Sequence, residues 1–310
     1  MAPAPRTAVC IGHAALDLLG TSDGWPAADL KTRLRTLGRQ GGGPAATAAV
    51  TLARLGVPAR FLGVVGDDDI GAWILADLRR CGVDVSGVRV RRGRTSHLSV
   101  CVSDAVAGTR NVLWHPGDAS DLRPRELVDD VLDDAGVVLC DGRHVAASFS
   151  LIRAARRRGI PTLLDAGSLR PATRRLLGAV DVCIASQVFA RELAGSDDPE
   201  RMLRALEAAG PAIVGITLGA EGALARRRGG TVVRVPAFRV RVVDTTGAGD
   251  AFHGAFAWGL LSRRSLRWTM RFASVVAGLK CRAPGGRKAL PTLAQARASC
   301  HYREGRDPGI

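Results

Sequence analysis

Tyrosine occurs once in 310 residues, and Trp and Phe add only five and seven. No stretch interleaves aromatic with basic side chains, and neither helix-turn-helix nor finger spacing is present, so a nucleic-acid-binding surface is not expected. The seven cysteines, at 10, 81, 101, 140, 183, 281 and 300, form no C-x-x-C pair. An odd count without metal-finger spacing argues against a disulfide scaffold and a zinc site, and reads as buried thiols in a reducing compartment. His13, His115, His144 and His253 show no H-E-x-x-H or other paired spacing, so none is assigned to a metal. No window reaches the roughly 18 uninterrupted apolar residues of a membrane span. Met1 to Arg6 runs almost at once into a strand-like apolar segment, without the charged region, apolar stretch and cleavage site of a leader. The expectation is a soluble, cytoplasmic protein with no membrane partner.

Acidic charge is also short, since 29 Asp and Glu against 44 Lys and Arg leave a formal charge of +15. Runs such as Arg156 to Arg158 and Arg226 to Arg228 are accounted for by solvated helix ends and turns. With no aromatic stacking surface beside them, the anionic partner expected is a small one.

What is present suits a large α/β domain: the length and a hydrophobic content of 46% are enough for a substantial core. Ala8 to Ile11, followed by Gly12, reads as a first buried strand, with Asp17 at the rim where the chain leaves the sheet. Three glycines, 41 to 43, precede a helix from Pro44 to Leu55 that starts on Pro and is followed by Gly56. From Val137 the pattern alternates. Strands are expected over Val137 to Cys140, Ile160 to Leu164, Val180 to Ala185 and Ala212 to Thr217; helices over Ser148 to Arg158, Ala172 to Leu177 and Glu200 to Ala209. A hairpin from Ala223 to Val235 turns at Gly229 and Gly230, and two apolar helices follow, Ala248 to Leu261 and Leu266 to Lys280. Two segments differ in character: residues 27–40, and 96–115, where Leu98, Val100 and Val102 alternate before a turn at Gly108. They read as antiparallel strands forming a small β lid inserted into one three-layer α/β/α domain with a mainly parallel sheet.

The chemistry concentrates in Val242 to Gly254, a strand end, a turn of small residues and a helix start. A helix N-terminus exposes unpaired N–H groups and partial positive charge, and Gly247, Ala248 and Gly249 are small enough for a phosphate to approach them. Asp250 in that turn reads either as a helix cap or as a catalytic base. Phosphoryl transfer needs positive dipoles for the moving phosphoryl group and a carboxylate at the attacking hydroxyl, and both lie within four residues here. Walker A and the G-x-G-x-x-G dinucleotide fingerprint are both absent from this turn, which argues against a nicotinamide oxidoreductase.

The run Asp244 to Asp250, DTTGAGD, resembles the C-terminal signature of the ribokinase-like PfkB sugar kinases. The resemblance extends, in family order, to Gly12 with Asp17, to Gly42-Gly43 with Thr47, and to the block Val65 to Gly71. It continues through Thr217-Leu218-Gly219-Ala220-Glu221-Gly222 and Ala273 to Pro291. It implies a ribokinase-like fold and an ATP-dependent carbohydrate kinase in which Asp250 is the general base and Gly247, Ala248 and Gly249 form the anion hole. Asp17, Gly42, Gly43 and Thr47 would hold the sugar, and Ser186, Thr217, Gly219, Gly222, Ser274 and Ala277 the nucleotide. Magnesium would be bound through the ATP phosphates and waters, and a potassium ion is implied near Asp244.

Within the family, Gly41 to Ala49, Phe252-His253-Gly254, Leu279-Lys280-Cys281 and Pro284 to Arg287 look most like the bacterial sulfofructose kinases, which act on a sulfonated ketose. By that resemblance Lys31 and Arg143 would meet the anionic group, although either also reads as ordinary solvated charge. Trp114 stands where that pattern has Asn, and Asn111, three residues away on a strand, is expected on the opposite face. The nucleotide side reads Ser186-Gln187-Val188-Phe189 where N-x-x-E is frequent. Fructose-phosphate, ribose and nucleoside kinases stay open, as does a catalytically silent sugar or nucleotide sensor. A homodimer through the lid is expected, since pairing would cover its strand edges.

Overall fold

The computed structural model describes residues 6–25, 28–107 and 109–304; the expected turn at Gly108 and the start of the first lid segment at Ala27 lie outside the described residues. The strands, in chain order, are β1 (Thr7–Ile11), β2 (Ala15–Ser22), β3 (Thr36–Gly42), β4 (Ala59–Gly66), β5 (Val83–Asp84), β6 (Val88–Arg91), β7 (Leu98–Asp104), β8 (Arg110–His115), β9 (Ala135–Cys140), β10 (Thr162–Ala166), β11 (Val182–Ser186), β12 (Ile213–Thr217), β13 (Ala223–Arg227) and β14 (Val233–Val235). The helices are α1 (Pro44–Arg54), α2 (Asp69–Arg80), α3 (Val145–Arg157), α4 (Pro171–Leu177), α5 (Gln187–Ala194), α6 (Pro199–Ala208), α7 (Ala248–Leu261), α8 (Leu266–Lys280) and α9 (Leu293–Glu304).

The main sheet runs β14-β13-β12-β11-β10-β9-β1-β4-β5, with β6 also on β4, and is parallel except where β13 and β14 close one edge. Its strands are buried on both faces. Along β9, Val137 and Leu139 enter the core under α1, α7 and α8, while Val138 and Cys140 enter the core under α3 to α6. Continuous apolar strands are what a parallel sheet covered on both sides requires. Helix α7 is enclosed from Ala251 to Gly259. It approaches α1 so closely that a Cβ on Gly254 would lie 2.8 Å from the Ala48 carbonyl.

Four strands form a second sheet, ordered β3-β2-β7-β8. It differs from the sequence reading in three ways. Asp17 is inside β2, a strand of this sheet, and not at the rim of the first. Central β2 pairs parallel with β7, so the sheet is mixed. Residues 31–35 carry no strand, which begins only at Thr36. The antiparallel register of β8 on β7 puts Trp114, Ser99, Asp17 and Gln40 in one cross-strand row, and Asn111, Val102, Gly20 and Leu37 in a row of the opposite face.

Arg287 ties β3 of the small sheet to α1 and α2. Its guanidinium is buried and donates to the Gly42 carbonyl (2.8 Å), Thr47 Oγ1 (3.2 Å) and Asp77 Oδ2 (2.9 Å), while its backbone N–H donates to Gln40 Oε1 (2.9 Å). A Cβ on Gly41 would fall 2.0 Å from the Arg287 Nη1 atom, so only glycine fits there. Removing one partner of such a pair leaves a charge uncompensated in the interior. Asp77→Ala should therefore cost about 3–5 kcal/mol in denaturant unfolding. Arg80→Ala, which removes the exposed partner of the same carboxylate, should cost no more than about 1 kcal/mol.

Candidate active site

The carboxyl ends of the parallel strands frame two hollows, as expected at such ends in open α/β sheets, and the second of them lies beneath the small sheet. The first is a cleft of about 250 Å³ with mostly apolar walls. Thr217, Gly219, Gly222, Ser274, Ala277, Ala248 and Gly249 all line it. Ser186 does not: it caps α5, accepting from the Phe189 N–H and donating to the Gly167 carbonyl. Phe238, which the sequence did not single out, and Cys281, from the Leu279-Lys280-Cys281 run, line the same cleft.

The second cavity, about 570 Å³, lies between the strand ends and the inner face of the small sheet. Arg143 and Trp114 line it, with His13, His97, Ser99, Asp141, Asp165 and Arg170. Trp114 stacks on His97 at 5.6 Å between ring centroids. Burial holds His13 well below the usual histidine range and His97 down to about 4, so both are neutral near pH 7 and the cations on this wall are the two arginines. Lys31 is exposed, in the coil before β3, and is not among the lining residues. Arg170 escaped the sequence reading because its only local signal is Pro171, the start of α4; what makes it relevant is that β9 and β10 are neighbours.

A side chain at 42 would meet the Asp17 carboxyl, and one at 43 the backbone of His13 and Ala14. A Cβ on Gly42 would lie 2.2 Å from Asp17 Oδ2, and Gly43 has φ +90°, with the His13 carbonyl 2.3 Å from a would-be Cβ. Asp17 thus abuts the glycine turn, and burial raises its carboxyl above the usual range despite a hydrogen bond from Ser99. Thr47 is buried in α1 and serves Arg287.

Gly247 caps α7 in the left-handed region, φ +72°, with Gly286 packed against it. Gly249 faces open space, nothing lying within 4 Å of a would-be Cβ, and it lines the first cleft. Bare amides at a helix start, open to a cleft, form an anion-binding cradle. Asp250 follows directly. Burial, with Asp165 and then Asp141 adding repulsion against the pull of His253 and Arg287, pushes its carboxyl up to about 7. A carboxylate next to the cradle and within reach of the charges lining the second cavity is placed to take a proton there.

Asp244 stabilises the turn. Its Oδ1 accepts from the Thr246 N–H (2.8 Å) and Oγ1 (2.7 Å), its Oδ2 from the Gly285 N–H (2.7 Å), and its carbonyl from Lys280 Nζ (2.7 Å). With donors on both carboxylate oxygens and the Lys280 ammonium on its carbonyl, Asp244 serves the turn in this structure, and no step is derived through a potassium ion. Arg110 of β8 reaches Thr246 Oγ1 and Asp244, linking the small sheet to this turn, another contact the sequence reading did not include.

An apolar cleft leading to a helix-start anion cradle and a raised carboxylate, beside a polar cavity, defines a nucleotide-dependent phosphotransferase. The chain belongs to the pfkB family of carbohydrate kinases: the model described as "pfkB family carbohydrate kinase" matches residues 6–293. It is 32% identical to an "ATP-dependent ribose-1-phosphate kinase" of Halopiger xanaduensis, over 90% of this chain and 93% of that one. Its fold matches a putative ribokinase from Agrobacterium tumefaciens with a TM-score of 0.89 at 29% identity, covering 98% of this chain and 100% of the other. It also matches Arabidopsis thaliana ribokinase, complexed with ribose and ATP, with a TM-score of 0.84 at 25% identity over 96% and 99%.

The two glycines of the cradle should respond differently to alanine. Gly247→Ala forces a side chain into a left-handed conformation against Gly286, so both stability and turnover should fall, the strain alone being about 1–2 kcal/mol. Gly249→Ala, in open space, should leave the melting temperature unchanged or slightly raised. Its methyl would occupy the phosphate's approach, so kcat/KM for ATP should drop at least about tenfold.

Proposed function

We propose that this kinase transfers the γ-phosphoryl group of ATP to a primary hydroxyl of a sugar that carries an anionic group, with Asp250 as the base. The observation that carries the anionic preference is the pair Arg143 and Arg170 on one wall of the second cavity. Guanidinium groups grip sulfonate or phosphate oxygens through paired hydrogen bonds. A sulfofructose substrate, which the sequence suggests, meets this requirement, and so does ribose 1-phosphate, named for the Halopiger relative. Trp114 lines the wall while Asn111 faces away, so no side-chain amide comes from either position, and anion recognition rests on the arginines.

In this reading the adenine side occupies the apolar cleft and the phosphates lie at Gly247 to Gly249. ATP and magnesium are the cofactors that fit a ribokinase-like kinase, the metal held by phosphates and waters, where it neutralises phosphate charge. The sugar lies between Asp17 with Gly42 and Gly43 on one side and Asp250 on the other. Asp250 accepts the hydroxyl proton, the sugar oxygen forms its bond to the γ-phosphorus, and the bond from that phosphorus to the β–γ bridging oxygen breaks to release ADP. The amides of the cradle meet the charge on the moving phosphoryl group. The small sheet covers the site and keeps water from competing with the sugar. Its outer face exposes Leu37 and Leu113, and a second copy of the chain is the partner proposed for it.

ADP release should be measured with ATP, magnesium and a panel of sulfofructose, ribose 1-phosphate, fructose phosphates, fructose, ribose and nucleosides. Turnover should be highest with an anionic sugar. Arg143→Met and Arg170→Met should each raise KM for that sugar at least about tenfold while changing KM for a neutral one little; equal losses for both classes would overturn the anion assignment.

Asp250→Asn should keep ATP binding and lose about 10²- to 10⁴-fold in turnover. Because the base works ionised and its carboxyl sits at about 7, kcat/KM should fall as pH drops through about 7 and level off above it.

A further inference from the structure

His253 is buried three residues beyond Asp250, on the enclosed side of α7. Its Nδ1 lies 2.7 Å from the Gly249 carbonyl and 3.2 Å from Asp165 Oδ2; its Nε2 lies 3.0 Å from the Ile184 carbonyl. Carbonyl and carboxylate oxygens only accept, so each ring nitrogen is satisfied only when it carries a hydrogen. A neutral ring would turn a nitrogen lone pair toward an oxygen lone pair at hydrogen-bond distance, inside the core, where an unmade bond is most costly.

The three contacts come from separate elements. The Gly249 carbonyl belongs to the first turn of α7, which also presents the cradle; Asp165 lies in β10; Ile184 lies in β11. We propose that His253 is a positioning residue of the phosphoryl-transfer site, a buried imidazolium that ties the first turn of α7 to β10 and β11 and supplies the positive charge against which Asp250 works. No proton of the reaction passes through it. The functional half of this inference rests on Asp250 being the base; the charge state of the ring does not.

The charged groups facing this cluster are Asp165 in β10, Asp141 after β9, Asp250 on α7 itself and Arg287 from the loop after α8. Burial raises the Asp165 carboxyl above its usual range, and the neighbouring His253 draws it back down. Asp165 in turn repels charge on Asp250, while His253 favours it. Charge removed from either member should therefore move Asp250 in opposite directions.

Two readouts test this. In the full-length chain with ¹⁵N-labelled histidine, the ring signals that vanish in His253→Gln should show two protonated nitrogens at pH 7.5. One unprotonated nitrogen overturns the proposal, and this result does not depend on any substrate. Second, with the panel sugar turned over fastest, His253→Gln should move the acid limb of kcat/KM to higher pH and Asp165→Asn to lower pH, each by about one unit. Should His253→Gln fail to fold, as circular dichroism would show, the Asp165→Asn limb decides alone. An unmoved limb in folded variants overturns the charge-setting role. Wild-type turnover in Asp250→Asn would instead remove the base assignment while leaving the nitrogen signals to decide the state of the ring.

Discussion

The constraint on which the site depends is the enclosure of the Arg287 guanidinium. A buried cation is tolerated only when its donors are met, and they are met by groups from β3, α1 and α2 that have no other reason to converge. Satisfying it draws the glycine turn before α1 against the loop after α8. Gly285 and Gly286 precede Arg287 in that loop, and Gly286 packs on Gly247. The turn before α1 and the turn before α7 are therefore fixed relative to each other by one side chain, and Gly41 against the Arg287 guanidinium and Gly247 against the Gly286 backbone show how closely they are drawn in.

Within that frame the electrostatics divide by position. The helix start and Arg287 favour negative charge, whereas Asp141, Asp165 and Asp250 crowd together and oppose it. Among these three, Asp141 is occupied by backbone donors, the His13 and Ala45 N–H groups on one oxygen and the Arg143 N–H on the other. Asp165 is paired with His253. Among the described residues Asp250 has no comparable partner, and burial lifts its carboxyl to about 7. A base must be incompletely satisfied before substrate arrives, and the partners given to its neighbours create that condition.

The parts legible in the sequence were those that one segment determines alone. α7 and α8 start and end where their apolar runs do, and the DTTGAGD turn carries its chemistry in seven consecutive residues. The strand at Ala15–Ser22 was not legible, because its partners are β3 and β7, distant in the chain, and its mixture of Leu, Gly, Thr and Ser has no clear period. β4, α2, α5 and α9 were also not anticipated; α2, for instance, starts inside the Val65 to Gly71 block, to which no element was assigned, and Asp68 caps it. Arg170 and Arg110, and the role of Arg287 within the run Pro284 to Arg287, were hidden for a common reason: an arginine gains a role from what surrounds its guanidinium, and a chain with 44 basic residues gives no means of ranking them.

The same reasoning separates the two arginines of the second cavity from the general positive charge of the chain. A surface guanidinium is screened by water and salt and discriminates weakly between ligands. Arg143 and Arg170 instead share a wall with two neutral histidines and Trp114, beneath a sheet that limits access. Asp141 and Asp165, on the same lining, make the cavity unfavourable for a free anion without hydroxyls to donate to them. A ligand with hydroxyls at one end and an anion at the other satisfies both walls at once; inorganic phosphate satisfies one, and a neutral sugar the other. The anionic-sugar selectivity we propose would rest on leaving neither the arginines nor the carboxylates without a partner, since desolvated groups left unpaired discriminate more strongly than added attraction does.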